Sequence, residues 1–107
     1  MYKLVVYVPV DYAERVKCAM FSSGAGRIGK YDRCCWQVLG LGQFRPLEGS
    51  QPFSGEIGDI CHEEEFRVEL VCEDQYIKEV LSSMKRVHPY ETPAFDVWRL
   101  ADVESLP

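Results

Sequence analysis

The residues with the clearest capacity for chemistry lie in the stretch GAGRIGK, from Gly24 to Lys30. Gly24, Gly26 and Gly29 satisfy the G-x-G-x-x-G pattern of dinucleotide-binding turns, and Lys30 extends the same stretch towards a P-loop. A P-loop needs Ser or Thr after the lysine to hold magnesium, but Tyr31 occupies that position. The stretch therefore raises the question of whether the protein binds a nucleotide.

The place of this glycine turn in the chain argues against a nucleotide. In a dinucleotide site the glycines open a helix, so the phosphates meet the positive N-terminus of that helix. Here the glycines follow a predicted helix and precede a predicted strand, which would put phosphate at the negative end of the helix dipole. The sequence favours a helix stop and a tight turn. The alternative is an anion or a partner's carboxylate bound by the loop amides and Arg27, with Lys30 presented beside them.

A second group of polar residues lies in HPYETPAFD, where His88, Tyr90, Glu91 and Asp96 occur within nine residues. A histidine flanked by carboxylates can act as a base or as a ligand. It is equally suited to the end of a helix, where its polar side chain complements the helix dipole. The sequence leaves both interpretations open, and no Ser/His/Asp or Cys/His pairing follows from the spacing.

The stretch ICHEEE supplies a third group, with Cys61, His62 and Glu63–Glu65 as potential metal ligands. Thiolate and imidazole ligands suit copper or zinc. Adjacent side chains point in opposite directions on a strand, so one site could use only Cys61 or His62 well. A solvated acidic face beside a core cysteine is the alternative. His62 and His88 are the candidate metal ligands, and a divalent metal is the one cofactor left open.

The loop FRPLEGSQPF combines the aromatic Phe44 and Phe53 with the charged Arg45 and Glu48. Such a combination suits a contact with a ligand or with another subunit. It suits equally well a long loop that folds back onto its own sheet. We expect this loop and the glycine turn to lie together and to form a contact surface.

Composition limits the classes of protein to consider. The 107 residues are enough for one domain, assigned here to residues 1–107, and too few for two. The net charge of −5 argues against nucleic acid, because no basic surplus exists to neutralise phosphates. No signal peptide and no membrane-spanning run is present. Five cysteines without C-x-x-C spacing are typical of reduced thiols, so we expect a cytoplasmic protein.

Apolar periodicity predicts the elements that position these groups. Strands are predicted at 3–10, 32–40, 64–73 and 94–100, with a long loop over 40–60. One helix follows an N-cap at Asp11, with Glu14 in capping-box position, and stops at Gly24. A second helix runs from an Asp74 cap to His88. This strand and helix order predicts the α+β, ferredoxin-like βαββαβ fold.

In that fold both helices cover one face of a four-stranded antiparallel sheet. The other face should carry side chains such as Cys35, Val71 and Trp98. An open, partly apolar sheet face needs covering, and self-association is the commonest solution.

Three stretches taken together carry a more specific signal: GAGRIGKYDRCCW, GQFRPLEGSQPFSGEIG and HPYETPAFDVWRL. They resemble the inserted PII/CutA-like domain of the Ngg-interacting-factor-like (YqfO-type) family, and most of all the stand-alone versions of that domain. The resemblance runs from Lys3 to Leu100. It implies the PII/CutA-like form of the ferredoxin-like fold and a homo-oligomer, either a dimer or a trimer.

The same resemblance limits what can be transferred. Full-length relatives carry a two-metal core in flanking domains, which two histidines cannot supply, so neither that site nor a cyclohydrolase activity is implied. The leading hypothesis is a non-enzymatic PII/CutA-like binding or regulatory module that self-associates, with its ligand, whether a small molecule, a metal or a protein, left open. The alternatives are a divalent-metal-binding CutA-like protein and an accessory domain of a metal-dependent hydrolase supplied in trans. The predicted ligand or partner contacts are Arg27, Lys30, Phe44, Arg45, Glu48, His88, Tyr90 and Glu91.

Overall fold

A computed structural model describes all 107 residues of the chain. The main elements in chain order are β1 (Tyr2–Pro9), α1 (Ala13–Ser22), β2 (Trp36–Phe44), β3 (Cys61–Cys72), α2 (Ile77–Val87) and β4 (Phe95–Arg99). Short 3-10 turns precede each helix, at Val10–Tyr12 and Asp74–Tyr76, and a third follows β4 at Val103–Ser105. Neither helix is long and apolar enough to cross a membrane.

The four strands form one sheet in the order β2-β3-β1-β4, with every neighbouring pair antiparallel. Strands β1 and β3 occupy the centre, and β2 and β4 form the two edges. Each helix connects two strands that are not neighbours, which is the split βαβ arrangement. The ferredoxin-like fold predicted from the sequence is confirmed.

The core lies between the two helices and one face of the sheet. On the central strands Leu4 pairs with Leu70, and Val6 with Val68, and all four side chains are buried. The helices contribute residues at i, i+4 spacing, so each presents one apolar stripe to the sheet. These residues are Val16 and Met20 of α1 and Val80 and Met84 of α2. Fully burying such a side chain stabilises the fold by about 1.5–3 kcal/mol.

The starts of both helices differ from prediction. Asp11 and Asp74 were expected to cap the helices, but neither side chain accepts a capping hydrogen bond. A 3-10 turn containing each aspartate leads instead directly into the helix. Asp74 pairs with Arg99 of β4 at 3.1 Å. The continuing turn supplies backbone partners that a capping side chain would otherwise provide, and the prediction of N-caps is wrong.

The end of α1 is as predicted. Gly24 adopts a φ of +117° just after the helix, a region in which only glycine is unstrained. The amide of Ala25 donates to the carbonyl of Met20 and that of Gly24 to Phe21, both at 3.1 Å. This pair of bonds is the Schellman arrangement that closes a helix C-terminus. The glycine stretch is therefore a post-helix turn.

The rest of the glycine turn is tied to the sheet. The amide of Gly26 donates to the carbonyl of Val71 in β3, and the amide of Cys34 donates to the carbonyl of Gly26, both at 2.8 Å. The turn thus lies beside the C-terminal end of β3, and it presents the exposed Arg27 and Lys30 to solvent.

Strands β2 and β3 form a longer hairpin than the sequence predicts. Strand β2 begins at Trp36 rather than residue 32 and continues to Phe44, so Gly40 and Gly42 lie inside a strand. Strand β3 begins at Cys61 rather than residue 64. The predicted loop over 40–60 is shorter by several residues because the two strands pair as far as Phe44 and Cys61. Glycine in a sequence usually indicates a loop, but the pairing of β2 with β3 outweighs that preference here.

The sheet face opposite the helices carries Val71 and Trp98, as predicted, in register with Lys3 of β1. Cys35 does not belong to this face. It precedes β2 and packs against the helix-side core, so its predicted position is wrong. Gln37 and Leu39, which share the parity of Cys35, pair with Val68 and Phe66 on the helix side of the sheet, so Cys35 lies on that side as well.

The edge strand β2 is apolar and exposed on both faces. Trp36 and Val38 lie on the sheet face opposite the helices. Leu39 and Leu41 lie on the same face as the helices, at a part of the sheet that the helices do not cover. Trp36 is 60% exposed and Leu41 is 69% exposed. The strand, WQVLGLGQF, contains no charged residue and no proline, the usual protections of an exposed edge. An unprotected nine-residue edge of this kind is typical of a strand that pairs with another chain.

Candidate functional site

A pocket opens at the end of the sheet where β2 finishes and β4 begins. Its volume is about 310 Å³, at the lower limit of small-molecule sites. The side chains and backbone that define it include Gly42, Phe44, Phe53, Glu65, Tyr90 and Glu91. Most of the lining is apolar, with carboxylates at two positions, which suits a ligand that is partly apolar and partly charged.

Two sequence motifs that are far apart in the chain meet at this pocket. One is the G-x-F-x-P stretch, from which Gly42, Phe44 and Pro46 line the pocket. The other is the H-P-Y-E stretch, which supplies Tyr90 and Glu91. The loop between β2 and β3 closes over them, and its main chain is fixed by a hydrogen bond from the Gln51 amide to the Glu91 carboxylate at 2.9 Å. Two of the three stretches that carry the family resemblance therefore build one site, and the glycine stretch lies outside it.

The absence of a side chain at Gly42 makes room for the Glu65 carboxylate. A Cβ at residue 42 would lie 2.1 Å from Oε1 of Glu65, far inside contact distance. Gly40, two residues earlier on the same strand, has no neighbouring atom closer than 4.0 Å. The glycine at 42 thus serves the pocket, whereas that at 40 does not.

This contrast gives a matched prediction. Gly42→Ala should lower the free energy of unfolding by about 1–2 kcal/mol, because the displaced Glu65 loses its partly buried hydrogen bond to Tyr90. Gly40→Ala should be neutral or stabilise by up to about 1 kcal/mol, because alanine has fewer unfolded conformations than glycine. Urea unfolding followed by circular dichroism measures both. Equal effects of the two substitutions would contradict the role assigned to Gly42.

Tyr90 and Glu65 form the principal polar contact of the pocket. The Tyr90 hydroxyl donates to Oε2 of Glu65 at 2.6 Å. Burial raises the pKa of Tyr90 far above its usual range, and the hydrogen bond to the nearby Glu65 carboxylate raises it further. Tyr90 is therefore a neutral donor at every physiological pH, and it fixes the orientation of the carboxylate.

His88 lies beneath the pocket and anchors the segment that carries Tyr90. Its Nδ1 accepts a hydrogen bond from the Tyr90 amide at 3.1 Å, so Nε2 bears the proton and donates to the Tyr7 carbonyl at 2.7 Å. The His88 side chain is 6% exposed. Burial lowers the pKa of His88, and the Tyr7 carbonyl and the Glu65 charge oppose this shift only partly. Both ring nitrogens therefore serve the main chain in a neutral imidazole.

The lowered pKa of His88 predicts a pH-dependent stability. Because the folded state binds this proton less readily than the unfolded chain, stability is fully present above the ordinary histidine pKa of 6.5. It falls as the pH decreases below that value towards the folded pKa. Thermal melts between pH 8 and pH 5 should show the loss in the wild type and in His62→Gln, which removes only the exposed histidine. The loss should be absent in His88→Gln, and a decline that persists there would contradict the assignment.

An aromatic cluster forms the apolar wall of the pocket. The Tyr90 ring lies between Phe44 and Phe53, with centroid distances of 6.1 Å to each and interplanar angles of 54° and 51°. Phe53 also meets Tyr12 edge-on at 5.4 Å. Tilted rings at these separations are favourable aromatic pairs. The loop residue Phe53 is thereby attached both to the pocket and to the turn before α1.

The structure separates the predicted contacts into two groups. Phe44, Tyr90 and Glu91 line the pocket, with His88 below them. Arg45 and Glu48 are exposed on the same loop without lining the pocket. Whether any of them contacts a ligand stays a prediction.

Arg27 and Lys30 form the second group, and they lie at the other end of the sheet. The glycine turn is hydrogen-bonded beside Val71, whereas Phe44 pairs with Cys61 at the opposite end of β3. The length of β2, eight residue steps of about 3.3 Å, separates the two regions. The prediction that the glycine turn and the FRPLEG loop lie together is wrong, because β2 runs as an extended strand between them and places them at opposite ends of the sheet.

The two histidines predicted as metal ligands occupy different environments. The exposed His62 on β3 pairs through Nε2 with the amide oxygen of Gln43 at 3.0 Å, and His88 is committed to the main chain. No three His, Cys, Asp or Glu side chains lie close enough together to hold a metal ion. Metal binding through His62 or His88 stays a prediction, and these contacts give it no support.

Sequence reasoning missed the role of Glu65. In the sequence it belongs to an acidic run with Glu63 and Glu64, although successive residues of a strand face opposite sides of the sheet. A usable signal was present: Gly42 on the neighbouring strand leaves space beside one particular carboxylate. The pairing register that brings the two together is not encoded in either segment alone.

Sequence comparison finds relatives with one shared description. The chain is 47% identical over 98 residues to the GTP cyclohydrolase 1 type 2 homolog of Mycobacterium leprae, covering 92% of this chain and 26% of that protein. It is 43% identical over 96 residues to the homolog of Bacillus subtilis, covering 90% and 26%. The chain thus spans about a quarter of the length of these relatives. No family model matches the chain.

Comparison with solved structures decides which part of such a protein the chain resembles. The Bacillus cereus protein related to NIF3 superimposes with a TM-score of 0.81 at 38% identity, over 94% of this chain and 26% of that one. The chain is similar to one segment of the NIF3-related proteins. The resemblance to Ngg-interacting-factor-like proteins predicted from the sequence is confirmed.

The chain also has the fold of CutA. The PII-like protein CutA from Nostoc superimposes over 99% of this chain and 86% of its own, with a TM-score of 0.69 at 19% identity. The CutA of Archaeoglobus fulgidus gives a TM-score of 0.67 at 18% identity, over 95% and 86%. At these identities the likeness establishes the fold alone. The chain thus has the PII/CutA-like fold, in agreement with the sequence prediction.

Proposed function

We propose that the chain is a non-enzymatic PII/CutA-like binding module that self-associates through the β2 edge and takes a ligand in the pocket beside Tyr90. The observation that carries the proposal is the β2 strand itself. It is long and apolar on both exposed faces, and it lacks the charges and prolines that protect natural edges. Pairing with a strand of a second copy would satisfy its free backbone groups and cover Trp36 and Leu41 together.

The binding part of the proposal rests on the pocket. Its walls come from two separate motifs and a loop, and its polar groups are held by specific bonds to Gln51 and Tyr90. The proposal omits catalysis because the nitrogens of His88 are occupied by main-chain groups and His62 contacts only Gln43.

Size-exclusion chromatography with light scattering tests self-association. We expect a molar mass that is a multiple of the 12.3 kDa chain and that persists at micromolar concentration. A dimer or a trimer would satisfy the proposal. A mass of one chain at every concentration up to the millimolar range would refute it.

A second candidate function follows from the lengths of the relatives. The proteins that the chain matches are about four times longer than the matched segment, so the module can serve as an accessory to a chain that resembles the remainder. Co-expression with such a chain and affinity purification of either one tests this. Recovery of both in a fixed ratio is the expected result, and recovery of each alone would contradict it.

A further inference from the structure

The charged side chains that line the pocket are all acidic. Glu65 and Glu91 contribute carboxylates, and no lysine, arginine or histidine side chain belongs to the lining. The protein as a whole carries a net charge of −5, which also favours the approach of cations. Both carboxylates would repel a phosphate or carboxylate ligand, so the charge of the pocket favours a positive ligand.

Each of these carboxylates keeps one oxygen for a ligand. Oε2 of Glu65 accepts from Tyr90, and Oε2 of Glu91 accepts from the Gln51 amide. Neither Oε1 atom has a hydrogen-bond partner in the protein. Glu91 is exposed, and the half-buried Glu65 has no polar side-chain atom that is both buried and unpartnered. The two Oε1 atoms are therefore accessible acceptors held in fixed positions.

The remaining wall is aromatic. Rings attract cations through their faces when the cation lies within about 6 Å of the centroid, and the attraction grows when the site excludes water. Phe44, Tyr90 and Phe53 form a continuous row with successive centroids 6.1 Å apart, so a ligand in the pocket contacts more than one ring. Aromatic faces with an adjacent carboxylate suit a cation that also has apolar surface, such as an alkylammonium or a guanidinium group. A small, strongly hydrated metal ion would gain little from this wall.

We propose that the pocket binds a small organic cation, an alkylammonium or guanidinium group, with the aromatic row around its apolar surface and Glu65 and Glu91 near its charge. This inference rests on the proposed function only in taking the pocket as the ligand site. It is independent of the oligomeric state. The volume of about 310 Å³ accommodates a headgroup of the size of choline or an arginine side chain.

Choline and its neutral isostere 3,3-dimethylbutan-1-ol test the proposal directly, because they differ only in the charged atom. Titration of the full chain, followed by NMR, should show saturable shifts at Phe53, Tyr90 and Glu65 with choline. The alcohol should bind about tenfold more weakly, since cation–aromatic and carboxylate attraction contribute about 1–2 kcal/mol in a partly desolvated site. Equal affinity for the two compounds, or no saturable shift with either choline or a guanidinium compound, would overturn the inference.

Substitutions separate charge from shape. Glu65→Gln and Glu91→Gln should each weaken choline binding several-fold and leave the binding of the alcohol unchanged. Phe53→Leu keeps apolar volume but removes a ring, and it should reduce the preference for choline over the alcohol. Glu48→Gln, an exposed carboxylate of the same loop outside the pocket, is the matched control and should change neither affinity. A loss in Glu48→Gln equal to that in Glu65→Gln would reduce the effect to overall charge and contradict the site.

A second titration distinguishes the source of the cation. Acetyl-arginine amide presents a guanidinium as a protein partner would, whereas choline represents a free ammonium compound. Tighter binding of either supports the proposed class and identifies its source. If the light-scattering measurement gives an oligomer and both cations fail, the self-associating module stands and the cation inference falls.

Discussion

The substitution Gly24→Ala is expected to lower the free energy of unfolding by about 3 kcal/mol or more. Two costs add at this position. The φ of +117° is strained for any residue with a Cβ, and the new Cβ would lie 2.7 Å from Cγ of the Tyr76 ring. Tyr76 packs against the core, so the ring cannot move away without opening a gap. For a domain of this size the loss corresponds to a decrease in Tm of about 10 °C or more.

Gly29→Ala is the matched control for this prediction. Its φ of +57° is also left-handed, but no atom lies within 4 Å of the Cβ position. Only the backbone strain of about 1–2 kcal/mol applies there. Thermal and urea denaturation of both variants measures the difference. Equal losses would show that the contact with Tyr76 is unimportant and that the turn is held by backbone conformation alone.

The substitution Leu41→Lys is expected to convert the assembled protein into single chains. Leu41 is 69% exposed on β2, so its replacement by lysine should change the free energy of unfolding of a single, unassembled chain by no more than about 0.5 kcal/mol. In a β2-mediated interface the same lysine would have to be desolvated without a partner. We expect the dissociation constant to rise at least about 30-fold, which corresponds to about 2 kcal/mol.

Val103→Lys provides the comparison for this experiment. Val103 is 75% exposed and lies in the 3-10 turn after β4, away from β2. The two variants introduce the same charge, and light scattering at matched concentration should show dissociation in Leu41→Lys alone. Loss of assembly in both variants would place the interface elsewhere or make it a response to net charge.

Local signals in the sequence were sufficient for the fold and for part of the site. A few neighbouring residues determine each of these local signals. They are the apolar stripes of α1 and α2, the alternation of apolar and polar residues in β3, and the end of α1 at Gly24. Phe44, Tyr90 and Glu91 were identified because they belong to short stretches with unusual composition, and the structure brings them to one pocket.

What the sequence did not predict depends on partners that are distant in the chain. The extension of β2 to Phe44 follows from its pairing with β3 as far as Cys61. Because this part of β2 contains glycines at positions 40 and 42, its sequence is typical of a loop. Arg27 is separated from the FRPLEG loop because the extended strand β2 lies between them. The contact between Tyr90 and Glu65 spans 25 residues and depends on register, which no single segment specifies.

The central claim is that the exposed edge of β2 is covered by a second copy of the chain, and hydrogen–deuterium exchange tests it most directly. Those amides of β2 that do not bond to β3 should be protected in the wild type and should exchange rapidly in Leu41→Lys. Amides of the β1–β3 pair should be protected equally in both proteins. Rapid exchange of the outward-facing β2 amides in an assembled wild-type protein would contradict the claim.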